Sequence, residues 1–369
     1  MRISLLEKRE DFYRILQESL NEASYFEREK KNILTEKFIV NKYLNFIATR
    51  TINSSVFQNL INEYSNSLVW WKKIIQKIYV RLAISKIFRK FFGHGIIELP
   101  VNYEKYLILG GNHRLRLFSK ELKFSIVLLK KNERLNYLKN DIAIRTDNFM
   151  SYAPSIYEYG KDWLKEEYFA GKPLNRLNNQ EKIETFKEDV IKSHLKELLI
   201  PTKKVWTKEQ YAKFINEEID FILDNVFLKK VSITKKVIKS LLSELIDSLT
   251  NDEISVSWSH GDFQMANVLI RNNQFKVIDW ESANKRFYLY DIYILEGGLR
   301  SGVSLKESIE KFKEKVAFSK IIDLNVDTIN LLLIEELRFS VNEEYSENFY
   351  VSGFKTKQVC ESIQKYLNE

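Results

Sequence analysis

Cysteine is nearly absent from this 369-residue chain: Cys360 is the only one. No intrachain disulfide can form, and the chain cannot build a zinc site from thiolates. Proline, at 4, and glycine, at 11, are scarce enough to argue against long unstructured linkers. No stretch approaches the roughly 18 consecutive apolar residues of a membrane-spanning helix. The opening MRISLLEKREDFYRILQ lacks an apolar core of signal-peptide length. A cytoplasmic location is therefore expected. One long stretch lacks acidic residues altogether. VWWKKIIQKIYVRLAISKIFRKFFG, at 69–93, carries seven Lys and Arg and no Asp or Glu.

What is present is ordinary for a globular protein: 44% hydrophobic and 29% charged residues. The net charge of +8, from 58 basic and 50 acidic residues, is mild for this length. No nucleic-acid reader motif accompanies it, so no nucleic-acid partner is expected. Composition is silent on oligomeric state.

Residues 1–92 read as helical, with apolar residues near a 3.6 period and neither Gly nor Pro. GHGIIELP, with Gly93, Gly95 and Pro100, marks a boundary. From 103 to 131, YEKYLILGG, NHRLRLFSK and KFSIVLLKK alternate as antiparallel strands. NERLNYLKNDIAIR follows as a helix. APSIYEYG and DWLKEEYFAG add two strands. Beyond GKPLNRL the chain is mainly helical, interrupted by the short strands SVSWSH, NVLIR and FKVIDW. The expected class is α+β: a helical segment at 1–92, a small β-rich lobe at 93–170 and a larger helical lobe at 171–369.

The stretch with the most chemistry is SHGDFQMANVLI at 259–270, followed by VIDWE. Moving a γ-phosphate to a hydroxyl needs a carboxylate to orient that hydroxyl and oxygen ligands for Mg²⁺. Asp262 supplies a carboxylate. NVLIRNNQFKVIDW reads as a hairpin turning at Asn272–Asn273, which brings Asn267 and Asp279 to one end. For any one of these residues alone, a polar turn is the better reading.

Taken together, HGDFQMAN, VIDWE and the later YDIYIL resemble the aminoglycoside phosphotransferase and choline kinase family, which has a two-lobed, protein-kinase-like fold. The likeness covers about 103–345, a span set by motif positions. It implies ATP and Mg²⁺ as cofactors, Asp262 as catalytic base, and Asn267 and Asp279 as metal ligands. His260 would brace the loop, and Asp291 matches the family's helix-start Asp. Trp280 and Glu281 would shape the acceptor pocket or anchor the segment. Glu167, Tyr168 and Phe169 would form the hinge against the nucleotide base. The family's strand lysine falls on Lys130 or Lys131, with Lys130 preferred because it completes the apolar strand. Its helix partner falls on Asp141, with Glu133 as the alternative. Gly110 and Gly111 would approach the phosphates, or simply turn a hairpin; Asn112, His113 and Arg114 flank them.

Two features bear on the partner. The apolar positions of 69–93, among them Trp70 and Trp71, form one helical stripe among basic residues. That suits an interfacial helix on anionic lipid at the inner face of a membrane. A helix packed on the small lobe with its charged face in water is the commoner arrangement and the preferred reading. EELRFSVNEEYSENFY offers Glu335, Glu336, Glu343, Glu344 and Glu347 to a polycationic acceptor. The expected function is transfer of phosphate to a small molecule or glycan, with a sugar or surface-glycoconjugate precursor preferred. Aminoglycoside or choline/ethanolamine kinase is the alternative, and a catalytically silent nucleotide-binding scaffold is the alternative outside the enzymes.

Overall fold

The computed structural model describes residues 12–25, 34–50, 52, 57, 70–111, 113–119, 124–131, 135–148, 150–225, 235–319, 325–344 and 354–369. Val69, Asn112, Glu133, Glu347 and much of the expected helical stretch before residue 70 lie outside them. The chain divides into two compact units, Met1–Ile142 with Pro154–Ala170, and Ala143–Ala153 with Gly171–Glu369.

The first unit is built on one antiparallel sheet. Helix α1 (Phe12–Glu22) precedes strands β1 (Thr35–Asn41) and β2 (Phe46–Ala48), and helix α2 spans Trp70–Ile84. Then come β3 (Gly95–Pro100), β4 (Tyr106–Gly110), β5 (Arg114–Ser119), β6 (Phe124–Leu129), helix α3 (Asn136–Asp147), β7 (Ile156–Tyr159) and β8 (Trp163–Glu167). The eight strands lie in the order β3-β1-β2-β4-β5-β6-β8-β7.

This corrects the reading of 1–92 as a separate helical segment. Residues 35–48 form a hairpin, and β1 pairs with β3 from Thr35↔Pro100 to Val40↔Gly95, across the expected boundary at 93. The turn is an Asx motif. Asn41 Oδ1 accepts the backbone N–H groups of Tyr43 and Leu44, and Asn45 takes a positive φ of 56°. Phe38, Val40, Phe46 and Ala48 are buried. Val80, Ala83 and Ile84 of α2 pack with Phe46, Ala48 and Leu107. On α3, Leu138 packs against Val127 and Leu164.

The second unit is mainly helical. It contains β9 (Lys172–Pro173), α4 (Gln180–His194), β10 (Lys204–Thr207), α5 (Lys208–Asn225), α6 (Lys235–Asp247), β11 (Glu253–Ser259), β12 (Val268–Arg271), β13 (Gln274–Val277) and β14 (Asn284–Phe287). Helices α7 (Tyr290–Gly297), α8 (Leu305–Ser319), α9 (Val326–Glu344) and α10 (Phe354–Leu367) complete it. Asn179 caps α4, its side chain accepting the Lys182 N–H at 2.9 Å. Residues 143–153, expected in the small lobe, belong here. Tyr152 O accepts the Val277 N–H, and Lys276 reaches the carbonyls of Ser151 and Ala153.

A buried ion cluster organises α9. Glu335 accepts from Tyr211 Oη (2.8 Å), the Phe287 N–H (2.9 Å), Arg286 (3.1 Å) and Arg338 (3.0 Å), and all three charged side chains are buried. Glu335 and Glu336, which the sequence offers to a polycationic acceptor, are instead buried in ion pairs. Removing one member of such a cluster strands buried charge. Glu335→Ala should lower the unfolding free energy by about 3–5 kcal/mol in urea titration. A loss under about 1 kcal/mol, typical of a surface pair, would contradict the cluster's role.

Candidate active site

Ser259, at the end of β11, opens the loop that carries the sequence motif. A carboxylate from the start of α7 holds it. Asp291 Oδ1 accepts from Ser259 Oγ (2.7 Å) and the Gly261 N–H (3.0 Å). Its Oδ2 accepts from the His260 N–H (2.7 Å) and lies 2.8 Å from His194 Nε2. Burial alone would push this carboxyl up; the hydrogen bond and charge of His194, with His260 and Ser259, outweigh it and hold the group at about 2. His194 in turn meets Tyr152 Oη through Nδ1 at 2.8 Å and stacks on Phe263 at 4.1 Å.

Gly261 has φ +82°, and a Cβ there would lie 2.3 Å from Ser282 O. No other residue fits that turn without moving the chain. His260 is fully buried, and burial, the largest cause, lowers its pKa. A neutral ring explains both contacts: Nε2–H donates to Ile278 O at 2.9 Å, and Nδ1 accepts the Asp262 N–H at 3.3 Å. His260 is thus a strut between the loop and the hairpin.

The strut leaves Asp262 with two unequal oxygens. Oδ2 accepts from Gln264 Nε2 (2.8 Å) and Asn267 Nδ2 (3.1 Å). Oδ1 is buried and has no hydrogen-bond partner among the described residues. It faces Arg300 Nε at 3.4 Å as an ion pair without hydrogen-bond geometry. Arg300 is clamped by Glu336 through two bonds of 2.6 and 2.9 Å, touches Tyr290 Oη at 3.1 Å and lies over the Phe339 ring at 4.1 Å.

Asn267 and Asp279 flank the open end of the β12–β13 hairpin. Val268 pairs with Val277, and the Ile278 N–H donates to Asn267 O at 2.9 Å. The far turn, at Asn272 and Asn273 with φ 49° and 62°, is the one the sequence predicts. Asp279 itself adopts the left-handed region, at φ 70° and ψ 55°. Such a conformation in a non-glycine residue is uncommon and is held by its surroundings. Trp280 is buried, donates Nε1–H to Val277 O at 2.9 Å and packs against His260. Of its two predicted roles, it anchors the segment.

These residues fit a hard cation. The Asn267 amide nitrogen is committed to Asp262, which leaves its side-chain oxygen as the atom that would ligate, and the Asp279 carboxylate would be the second oxygen ligand. Among the described residues no group of three His, Cys, Asp or Glu could hold a metal.

In the first unit, Lys130 and Lys131 differ sharply. Lys130 is buried and donates from Nζ to Gly111 O at 2.6 Å. Lys131 points to the surface and pairs with Glu22 (2.9 Å) and Glu18 (3.2 Å) of α1. Gly110 ends β4, and a Cβ on Gly111 would lie 2.8 Å from Arg114 O. Asp141 is buried and pairs with Arg114, which also reaches Tyr137 O. Among the residues expected to form a hinge, the Glu167 N–H donates to Ser155 O at 2.8 Å. Tyr168 packs edge-on against Phe118, and Phe169 is half-buried.

No family model matches the chain, and no curated protein does. Solved structures similar to it include a thermostable mutant of aminoglycoside phosphotransferase APH(4)-Ia with ADP and hygromycin B. The identity is 13%, over 70% of this chain and 93% of that one, with a TM-score of 0.46. Choline kinase LicA from Streptococcus pneumoniae gives 11%, 71%, 91% and 0.45. A putative fructosamine-3-kinase from Thermobifida fusca gives 15%, 72%, 91% and 0.43. At such identities and TM-scores, the functional reading rests on the side chains.

Asp291 offers a direct test. Its folded value lies below the 3.8 of a free carboxyl, so its contribution is present above about pH 4 and is lost as pH falls toward 2. The difference corresponds to about 2 kcal/mol. Asp291→Asn should cost roughly 3–5 kcal/mol at pH 7 and should flatten this acid-side loss in urea unfolding. An unchanged pH profile in the variant would remove Asp291 as the brace.

Proposed function

We propose that this protein is an ATP- and Mg²⁺-dependent phosphotransferase whose acceptor is a hydroxyl of a small molecule or glycan. One observation carries the reading: the Asp262 carboxylate is fixed through Oδ2 by two amides and faces Arg300 through Oδ1, in the loop that also carries Asn267. A carboxylate held in this way can orient a hydroxyl and take its proton.

In the proposed step the acceptor hydroxyl donates to the Asp262 carboxylate. Its oxygen bonds to the γ-phosphorus as the bond from that phosphorus to the β–γ bridging oxygen breaks. The proton passes to Asp262, and ADP leaves. Gln264 and Asn267 keep the carboxylate plane fixed throughout. Asn267 Oδ1 and the Asp279 carboxylate would hold Mg²⁺, which when bound neutralises phosphate charge. Lys130 and the Gly110–Gly111 turn are proposed to meet nucleotide phosphates, with Asp141 supporting that region through Arg114. Of the hinge residues, Phe169 remains a candidate for the nucleotide base, and Glu167 would contribute no N–H.

Among acceptors, the reading favours an uncharged or anionic hydroxyl compound such as a sugar or glycoconjugate precursor. A polycation needs unspent carboxylates, yet Glu335 is taken by Arg286 and Arg338, and Glu336 by Arg300. A quaternary amine needs an open aromatic face. Phe339, beside the base, already carries Arg300 at 4.1 Å and Lys355 at 5.3 Å.

Mg²⁺·ATP should raise the melting temperature of the wild-type protein. Asp279→Ala should abolish that shift, and Asp262→Asn should keep it. A shift that persists in Asp279→Ala would remove Asp279 from the metal site. With a turned-over acceptor, Asp262→Asn should lower kcat by about 10²–10⁴-fold. Full turnover in that variant would exclude Asp262 as the base. A mass-shift screen over sugars, aminoglycosides and choline should give phosphorylated product with the first class; product only with the cationic classes would overturn the acceptor preference.

A further inference from the structure

Helix α2 and the turn after it carry two apolar faces, and only one is used. Val80, Ala83 and Ile84 are buried against the sheet. Trp70, Trp71, Ile74, Ile75 and Ile78 are exposed, Trp70 at 73%. At 3.6 residues per turn these five fall within an arc of about 140°, centred opposite the buried positions. The turn extends the same kind of surface with exposed Ile87, Phe88 and Phe91, the last at 79%. These eight exposed positions of the apolar stripe read from the sequence therefore do not pack on the sheet, whereas Phe92 does pack against that core.

Charge selects what covers it. Lys72, Lys73, Lys77, Arg81, Lys86 and Lys90 are all exposed, and residues 70–93 include no acid. The seventh cation, Arg89, is buried and does other work: it donates to the carbonyls of Thr49 (2.5 Å) and Ile84 (2.6 Å) and pins the turn. A second copy of the chain meeting this face across a two-fold axis would set these six cations against themselves. An anionic surface with an apolar interior meets both halves of the pattern. Tryptophan at the rim and lysines beside a shallow apolar face are the features of an interfacial helix.

We infer that residues 70–92 form a peripheral docking surface for an anionic lipid bilayer, with the indoles and isoleucines seated at the headgroup boundary and the basic residues over the lipid charge. No helix among the described residues is long and apolar enough to cross a membrane, so contact through this surface would be interfacial. The inference is independent of the nucleotide chemistry proposed above.

Flotation of the full chain with vesicles tests it. Phosphatidylcholine vesicles containing one third phosphatidylglycerol should bind the protein at low salt, and pure phosphatidylcholine should bind it far less. High salt should weaken the anionic binding. Reversing Lys72, Lys73 and Lys77 to Glu should weaken it on the order of fivefold per residue at least. Trp70→Ser with Trp71→Ser and Ile74→Ser should abolish it with an unchanged melting temperature, since all three side chains are exposed. No binding at low salt, equal binding by either variant, or a dimer in sedimentation that the Ser variant dissolves would each overturn the proposal.

Discussion

The carboxylate of Asp291 sits in the interior with a full charge, and four donors converge on it. Three come from the consecutive residues Ser259, His260 and Gly261, and the fourth is His194. Burying an unpaired carboxylate would be prohibitive; burying one with four donors is affordable and directional. The consequence is a loop whose backbone has one arrangement. Gly261 must be left-handed, His260 must reach Ile278, and Asp262 must emerge beside Gln264 and Asn267. The proposed chemistry depends on that chain of constraints, although Asp291 itself touches no reacting atom.

A second layer of buried charge surrounds the first. Glu335, Arg286 and Arg338 link α9 to β14, and Glu336 links the same helix to Arg300. Such clusters contribute little net stability compared with apolar packing, yet breaking one is costly. Here they place a guanidinium 3.4 Å from Asp262 Oδ1. Packing does the rest: Phe263, Val268, Val277 and Trp280 share one core cluster, so the loop and hairpin are held from behind.

What could be read in the sequence was local. Asp262, Asn267 and Asp279 lie within one loop and one hairpin, and the Asn272–Asn273 turn states its own geometry. The strands of 106–129 are legible as an alternating RLRLFS between two apolar runs, YLILG and FSIVLL, and the two amphipathic helices flanking 226–234 show their faces. What escaped was held by distant partners. His194 meets Asp291 across 97 positions, and Glu335 meets Tyr211 across 124. No spacing announces either. The β1–β2 hairpin is hard to read because β2 is only three residues long and its turn contains neither Gly nor Pro. The Asx motif at Asn41 was the available signal. Glu335 and Glu336 look like any solvated glutamates until Arg286, Arg338 and Arg300 arrive from other elements.

The central claim is that the braced loop presents a cation and nucleotide site built on Asn267 and Asp279. Electron paramagnetic resonance of Mn²⁺, with a non-hydrolysable ATP analogue, reads that site without needing the acceptor. The account predicts one bound ion per chain, present only with the nucleotide, displaced by Mg²⁺ and lost in Asn267→Ala. Folded protein that binds no Mn²⁺ beside the analogue, or that binds it unchanged in Asn267→Ala, would contradict it.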